Sequence, residues 1–136
     1  MAEPESGQSA FLTLIGARTV EKREDLFRVS LLLEERHTNP NGVMHGGVMT
    51  SLMDEAVGGV IAYARGLDVM RAAPHSTVDM NVSFLSAARA GDELIVEARP
   101  IKVGRSVAFA EAEARRGDGT LVGKGRFTFV IVAPRP

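Results

Sequence analysis

Asp54 is the residue with the most to explain. It lies midway along GGVMTSLMDEAVGGVIAYAR, residues 46–65, a run with almost no helix breakers. Val48, Leu52, Ala56 and Val60 recur every fourth position, with Met49, Met53, Val57, Ile61 and Ala64 on the flanks. That period predicts an α-helix apolar around most of its circumference and buried on nearly all sides. At about 100° per residue, Gly47, Ser51, Asp54 and Gly58 fall near one line, so the carboxylate stands in a narrow stripe of small residues. A lone buried carboxylate costs several kcal/mol unless it is paired, hydrogen-bonded or protonated, and such a cost marks functional sites. Taken alone, the helix also allows Asp54 and its neighbour Glu55 to reach solvent or form a structural ion pair.

The chemistry open to Asp54 is limited by what the chain lacks. There is no cysteine and no serine in a G-x-S-x-G elbow, so the usual acyl-enzyme nucleophiles have no context. A carboxylate is left either to attack a carbonyl or to activate water as a general base. Gly46 and Gly47 open the helix, where backbone N–H groups are unpaired and the dipole favours developing negative charge. Asp54 is about 12 Å from Gly46 by helical rise, too far for both to touch one reacting carbon. A two-fold dimer would bring one helix terminus to the other helix's carboxylate.

Around this helix, which would span about 30 Å, the chain must supply a sheet to wrap it. Residues 1–7 are expected to be disordered. Ala10 to Gly16 predicts a short apolar helix stopped by Gly16, and Arg18 to Arg23 a first strand. In the second strand Phe27, Val29, Leu31 and Leu33 alternate with Arg28, Ser30 and Leu32. Asn39-Pro40 and Asn41-Gly42 signal a long turn before the helix. Gly66 to Pro74 has no clear pattern. Next, Val78, Met80, Val82 and Phe84 are expected on one face of a third strand, with Thr77, Asp79, Asn81 and Ser83 on the other. Strands over 92–103, 106–116 and 121–132 follow, joined at Gly104-Arg105 and Gly117-Asp118-Gly119 in an antiparallel meander. The class is α+β, a long central helix wrapped by a curved antiparallel sheet.

Composition agrees with a single domain across all 136 residues. A net charge of −1 with interspersed charges gives no footprint for nucleic acid or an acidic membrane surface. No apolar run approaches a membrane span, and MAEPESGQSA has no signal-peptide core, so a soluble, cytoplasmic protein is expected. His37, His45 and His75 lack ligand spacing, so no metal is expected.

The motif HxNPxGxxHGGxxxxLxDxAxG, from His37 to Gly58, resembles the signature of the hotdog-fold acyl-CoA thioesterases, most closely the phenylacetate-pathway (PaaI-type) branch. The likeness extends to VDMNVSFLSAAR at residues 78–89 and to the turn at Lys102-Val103-Gly104-Arg105-Ser106. It implies hydrolysis of an acyl-CoA thioester, with coenzyme A as part of the substrate and no separate cofactor. It also implies a homodimer, often within a dimer of dimers, with sites composed by two subunits. By position, Asp54 would be nucleophile or base and Gly46 the oxyanion donor. Asn39 would orient water or the carboxylate, Thr77 would help position water, and His45 would support the turn. Positions matching Asn39 and Gly46 come from one subunit, and those matching Asp54 and Thr77 from the other.

Gly47 and Ser51 would line the substrate, while Arg89, Lys102, Gly104, Arg105 and Ser106 stand in or near turns that contact coenzyme A. An apolar acyl group would rest against Met49, Met53, Val57 and Ile61. Each assignment has a plainer alternative: Asn39 as a turn residue, Gly46 and Gly47 as packing glycines, Thr77 as an outward strand position, the basic residues as solvated charges, and the methionines as core. Two other classes stay in view: a hotdog dehydratase or hydratase, which would use a His–carboxylate pair at different spacing and without HGG, and a non-catalytic acyl-CoA-binding protein, which would have no need for Asp54.

Overall fold

The computed structural model describes residues 8–132, so the expectation for residues 1–7 lies outside the described residues. One long helix, α2 (Gly46–Arg65), lies against a six-stranded antiparallel sheet, the hotdog architecture. The helix has the bounds its periodicity predicts. Met49, Leu52, Met53, Ala56, Val57, Val60, Ile61 and Ala62 bury one broad face against the sheet. They join Val29, Leu31, Leu94, Val96, Phe127 and Phe129 in a single core. Met49, Met53, Val57 and Ile61 are all fully enclosed there, so they are core and not the wall of an acyl pocket. The expectation of burial on nearly all sides is corrected too. Ser51, Asp54, Glu55, Gly58 and Gly59 remain partly accessible along the face the sheet does not cover.

Before the helix come α1 (Ala10–Leu14), β1 (Arg18–Lys22) and β2 (Phe27–Leu32). Ser9 caps α1 by accepting from the Leu12 N–H, and Gly16 turns the chain at φ +84°. Phe27, Val29 and Leu31 alternate inward as their period requires. The long turn into α2 contains a 3-10 turn at Glu35–His37 and is pinned by His37, which is 3% exposed. The His37 Nδ1 accepts from the Glu34 N–H at 2.8 Å, so its Nε2–H donates to the Ile15 carbonyl at 2.7 Å. After α2, the segment with no clear sequence pattern forms a second short helix, α3 (Leu67–Ala72).

The remaining strands are β3 (His75–Phe84), β4 (Glu93–Val103), β5 (Val107–Arg116) and β6 (Leu121–Ile131). Their order is β1-β2-β4-β5-β6-β3. Only β4-β5-β6 is a meander. β3 does not join it in sequence but crosses to the far edge, where among the described residues it pairs with β6 alone. The expected faces of β3 also need correction. Its register slips between Thr77, opposite Phe129, and Asp79, opposite Thr128, leaving Val78 as a bulged residue. Directly opposed residues share a face, so Thr77 lies on the helix side with Met80 and Val82, opposite Phe127 and Gly125. A regular strand would have turned Thr77 outward with Asp79. Val78, Met80 and Phe84 are 56%, 47% and 59% exposed, because β3 is an edge strand beside the open face of α2.

Candidate active site

The bulge delivers Thr77 to Asp54. The Thr77 Oγ1–H donates to Asp54 Oδ1 at 2.8 Å, joining the edge strand to the middle of α2. This leaves Oδ2 without a partner among the described residues. The pair opens onto a cleft of about 340 Å³ lined also by Glu55, Gly58, Gly59, Ala62, Met70, His75 and Phe129. Glu55 accepts from Ser9 Oγ at 2.6 Å and so belongs to the α1 cap rather than standing free. A larger hollow of about 550 Å³ lies on the opposite face of the sheet between β3 and β6, lined by Asn81, Ser83, Lys124 and Arg126 among others. It contains no acid–base candidate singled out by the sequence; Asp54 and Thr77 line the smaller cleft.

His75 is the residue the sequence reading missed. Arg65 can only donate, so the 2.9 Å contact between its Nη1 and His75 Nδ1 fixes that nitrogen as acceptor. The Nε2–H then donates to the Gly58 carbonyl at 3.0 Å, and the ring meets Phe129 edge-on. Burial pushes the imidazole below its ordinary value; the Gly58 bond opposes this and the Arg65 charge adds to it. Arg65 also donates to the Ala73 carbonyl at 2.6 Å, tying the end of α3 to the end of α2. Gly58 and Arg65 share a face of α2, but no periodic signal in the sequence joins them to positions 73 and 75, which meet them only when β3 folds back along the helix.

At the start of α2, His45 is the N-cap, and its Nδ1 accepts from the Gly47 N–H at 2.9 Å. Its own N–H bonds to the His37 carbonyl at 2.8 Å. His45 thus holds the turn, as a support residue would. The Gly46 N–H bonds to no acceptor among the described residues, as the first turn of a helix requires. A Cβ at Gly46 would lie 2.9 Å from Cε1 of Phe84, whose ring covers the glycine from the other end of β3. The Asn39 Oδ1 accepts from the N–H groups of Asn41 and Val43, the turn-building role its position before Pro40 allows. Its Nδ2 makes no bond among the described residues. The Ser51 hydroxyl turns back to the Gly47 carbonyl at 2.7 Å.

The expected coenzyme-contacting residues fall into two groups. Lys102, Arg105 and Ser106 are exposed at the β4–β5 turn, where the Ser106 carbonyl accepts from Ile131, the residue opposite His75. Gly104 is needed there, because a Cβ would come within 2.7 Å of the Val107 carbonyl oxygen. Arg89 lies at the other end of β4, about 30 Å away at strand rise. It is next to Ala88, whose carbonyl accepts from Met44 just before the Gly46 turn. One chain therefore groups Asp54, Thr77 and the Lys102–Ser106 turn at one end, and Gly46, Asn39 and Arg89 at the other.

Comparison with known proteins gives a consistent result. Residues 41–123 match the family model described as Thioesterase superfamily. Acyl-coenzyme A thioesterase 13 of Mus musculus is 35% identical over 97 residues, 71% of this chain and 66% of that protein, so the chain spans just under two thirds of this relative. A conserved protein of Pseudomonas aeruginosa has a solved structure that is 33% identical, covering 95% of this chain and 100% of that one, with a TM-score of 0.84. The PaaI protein of the E. coli phenylacetic acid degradation operon shares the fold at a TM-score of 0.83 and 17% identity, over 95% of this chain and 88% of that one.

Proposed function

From the premise that this chain belongs to the thioesterase superfamily, we propose that it hydrolyses acyl-CoA thioesters to the free acid and coenzyme A, in a site shared by two copies of the chain. The observation that carries this reading is the Asp54 carboxylate, oriented by Thr77 on an open helix face beside a cleft. A group held in this way is ready for acid–base or nucleophilic work on an acyl carbon.

The two ends of the site, separated within one chain, are reunited by simple symmetry. Among the described residues β3 has a free edge, and Met80 and Phe84 expose apolar surface beside the stripe of Gly47, Ser51, Asp54 and Gly58. An isologous pairing of two β3 edges, antiparallel about Asn81, sets Thr77 of one copy against Phe84 of the other once the extra residue at 78 is passed over. Thr77 marks Asp54, and Phe84 covers Gly46, so the carboxylate of one copy meets the helix terminus of the second. The same operation brings Arg89 of one copy toward the Lys102–Ser106 turn of the other, giving cations from both for the phosphates of coenzyme A. A further pairing of dimers is compatible with this arrangement.

In the resulting mechanism the thioester carbonyl oxygen points at the Gly46 N–H, which stabilises the negative charge as the carbon becomes tetrahedral. Asp54 Oδ2 either removes a proton from the attacking water or attacks the carbon itself, to be released by water in a second step. Collapse of the intermediate breaks the C–S bond, and the thiolate leaves as coenzyme A after gaining a proton. The Asn39 Nδ2 of the second copy would hold the water. Release of free thiol from a panel of acyl-CoAs tests the reading, with Asp54→Ala and Asp54→Asn as variants. Asp54→Ala is expected to lose about 10² to 10⁴ in turnover. Parental turnover in that variant, or full activity in a stable monomer, would refute the proposal.

A further inference from the structure

The Asp54 cleft continues past the carboxylate. Glu55, Gly59, Ala62 and Met70 line both this cleft and a second, more enclosed hollow of about 280 Å³, so the two form one groove across α2 and beneath α3. The far part is walled by Phe27, Tyr63 and Leu67, with Lys22 and Arg71 also lining it. From Asp54 to Ala62 the floor runs about 12 Å by helical rise, far longer than an acetyl group needs.

Gly58 and Gly59 lie on this floor for different reasons. A Cβ at Gly59 would come within 2.5 Å of the Phe27 ring, so packing demands glycine there. A Cβ at Gly58 would meet nothing within 4 Å, and its backbone is ordinary helix. Glycine in mid-helix weakens the helix, and neither packing within the chain nor backbone geometry asks for it at this position. What the missing side chain leaves is open space one turn beyond Asp54, between the reacting carboxylate and the apolar end of the groove. The carbonyl of Gly58 is already used by His75, whose neutral ring closes the side wall.

Resting on the thioester-hydrolysing reading above, we propose that this groove holds the acyl group and that Gly58 is the residue that admits it. The substrate class is an unbranched, apolar acyl chain of medium length, laid over Gly58 and Ala62 with its end under α3.

The test is kcat/KM of the full chain for acetyl-, butyryl-, hexanoyl- and octanoyl-CoA, read by free-thiol release. The parent is expected to gain about fourfold per added methylene up to the octanoyl chain, the fold-change that burial of one methylene produces. Gly58→Leu places a good helix former in the open space and is expected to lower the octanoyl-to-acetyl ratio at least tenfold. Gly58→Ala, which shortens the free width by one methyl and strengthens the helix, is expected to lower it about fourfold. Melting temperature and far-ultraviolet circular dichroism show that each variant is folded. An unchanged ratio in a folded variant overturns the groove assignment and leaves thioester hydrolysis standing, as does an equal loss of acetyl and octanoyl turnover. A parent that prefers acetyl-CoA overturns it as well. A parent that cleaves no acyl-CoA overturns the functional reading, and this one with it.

Discussion

Replacing Thr77 by valine isolates the contact that ties the sheet to the helix. Valine keeps the β-branched shape, so the bulge and the packing against Phe129 persist, and only the Oγ1–H to Asp54 Oδ1 bond is lost. A hydrogen bond to a charged group contributes about 1.5–3 kcal/mol, and Thr77 is half-buried, where water replaces part of it. The lower part of that range, about 1.5–2 kcal/mol, corresponds to about 10- to 30-fold in rate. Because the bond orients the carboxylate and does not touch substrate, the loss is expected in kcat, with KM nearly unchanged. Thr77→Ser keeps the hydroxyl and is expected to stay within about threefold of the parent. Steady-state thiol release on all three proteins decides the matter. A valine variant within twofold of the parent, or a serine variant as slow as the valine one, would show that the hydroxyl does not position Asp54.

Three further outcomes rest on other contacts in the fold. Gly46→Ala pushes a methyl into the exposed Phe84 ring and is expected to fold normally yet lose up to about 10² in kcat as the oxyanion donor shifts; restoring space with Phe84→Ala should recover part of the rate, and an unaffected single variant would remove Gly46 from the mechanism. His75 is kept neutral in the folded chain while the unfolded chain takes up a proton near the ordinary value of 6.5, so its share of stability is complete above that pH and drains away as the pH falls below it. His75→Gln should therefore show a smaller drop in melting temperature between about pH 7.5 and 5.5 than the parent, and equal drops would contradict the assignment. His37→Phe leaves the Glu34 N–H and the Ile15 carbonyl unpaired in a site only 3% exposed, a cost of about 2–4 kcal/mol in urea unfolding; a shift below about 1 kcal/mol would mean water replaces the ring.

Elements whose signals are local were legible in the sequence. The bounds of α2 follow from a helical period that begins at a glycine pair, and the Gly104 and Gly117–Gly119 turns from residues that only turns favour. The helix α3 was not legible, since none of its residues is buried and no apolar period marks it. The order of the strands was not legible either, because β3 finds β6 across some forty residues of intervening chain and nothing within β3 states its partner. Of the site, Asp54, Gly46 and His45 occupy the places expected from the helix and its cap. Asn39 takes the turn-building role, and Arg89 is remote from the Lys102–Ser106 turn within one chain. Neither the Arg65–His75 contact nor the Phe84 cover over Gly46 left any trace in spacing.

The phase of β3 shows why a period-2 pattern misleads here. Thr77, Asp79, Asn81 and Ser83 alternate cleanly with Val78, Met80, Val82 and Phe84, and a regular strand would honour that alternation throughout. The bulge breaks it after Thr77, leaving Val78 56% exposed while turning the Thr77 hydroxyl toward the helix. A bulge leaves one residue unpaired, and on an edge strand the partner lost is on one side only. The single phase slip thus serves both ends of the strand: beyond it Met80 and Phe84 face the helix side and border the open stripe, and before it Thr77 reaches Asp54. Were Thr77 outward, the carboxylate would have no donor from the sheet, and its orientation would rest on helix rotamer preference alone. The misread residue and the Thr77–Asp54 contact therefore have one physical origin, the extra residue at position 78.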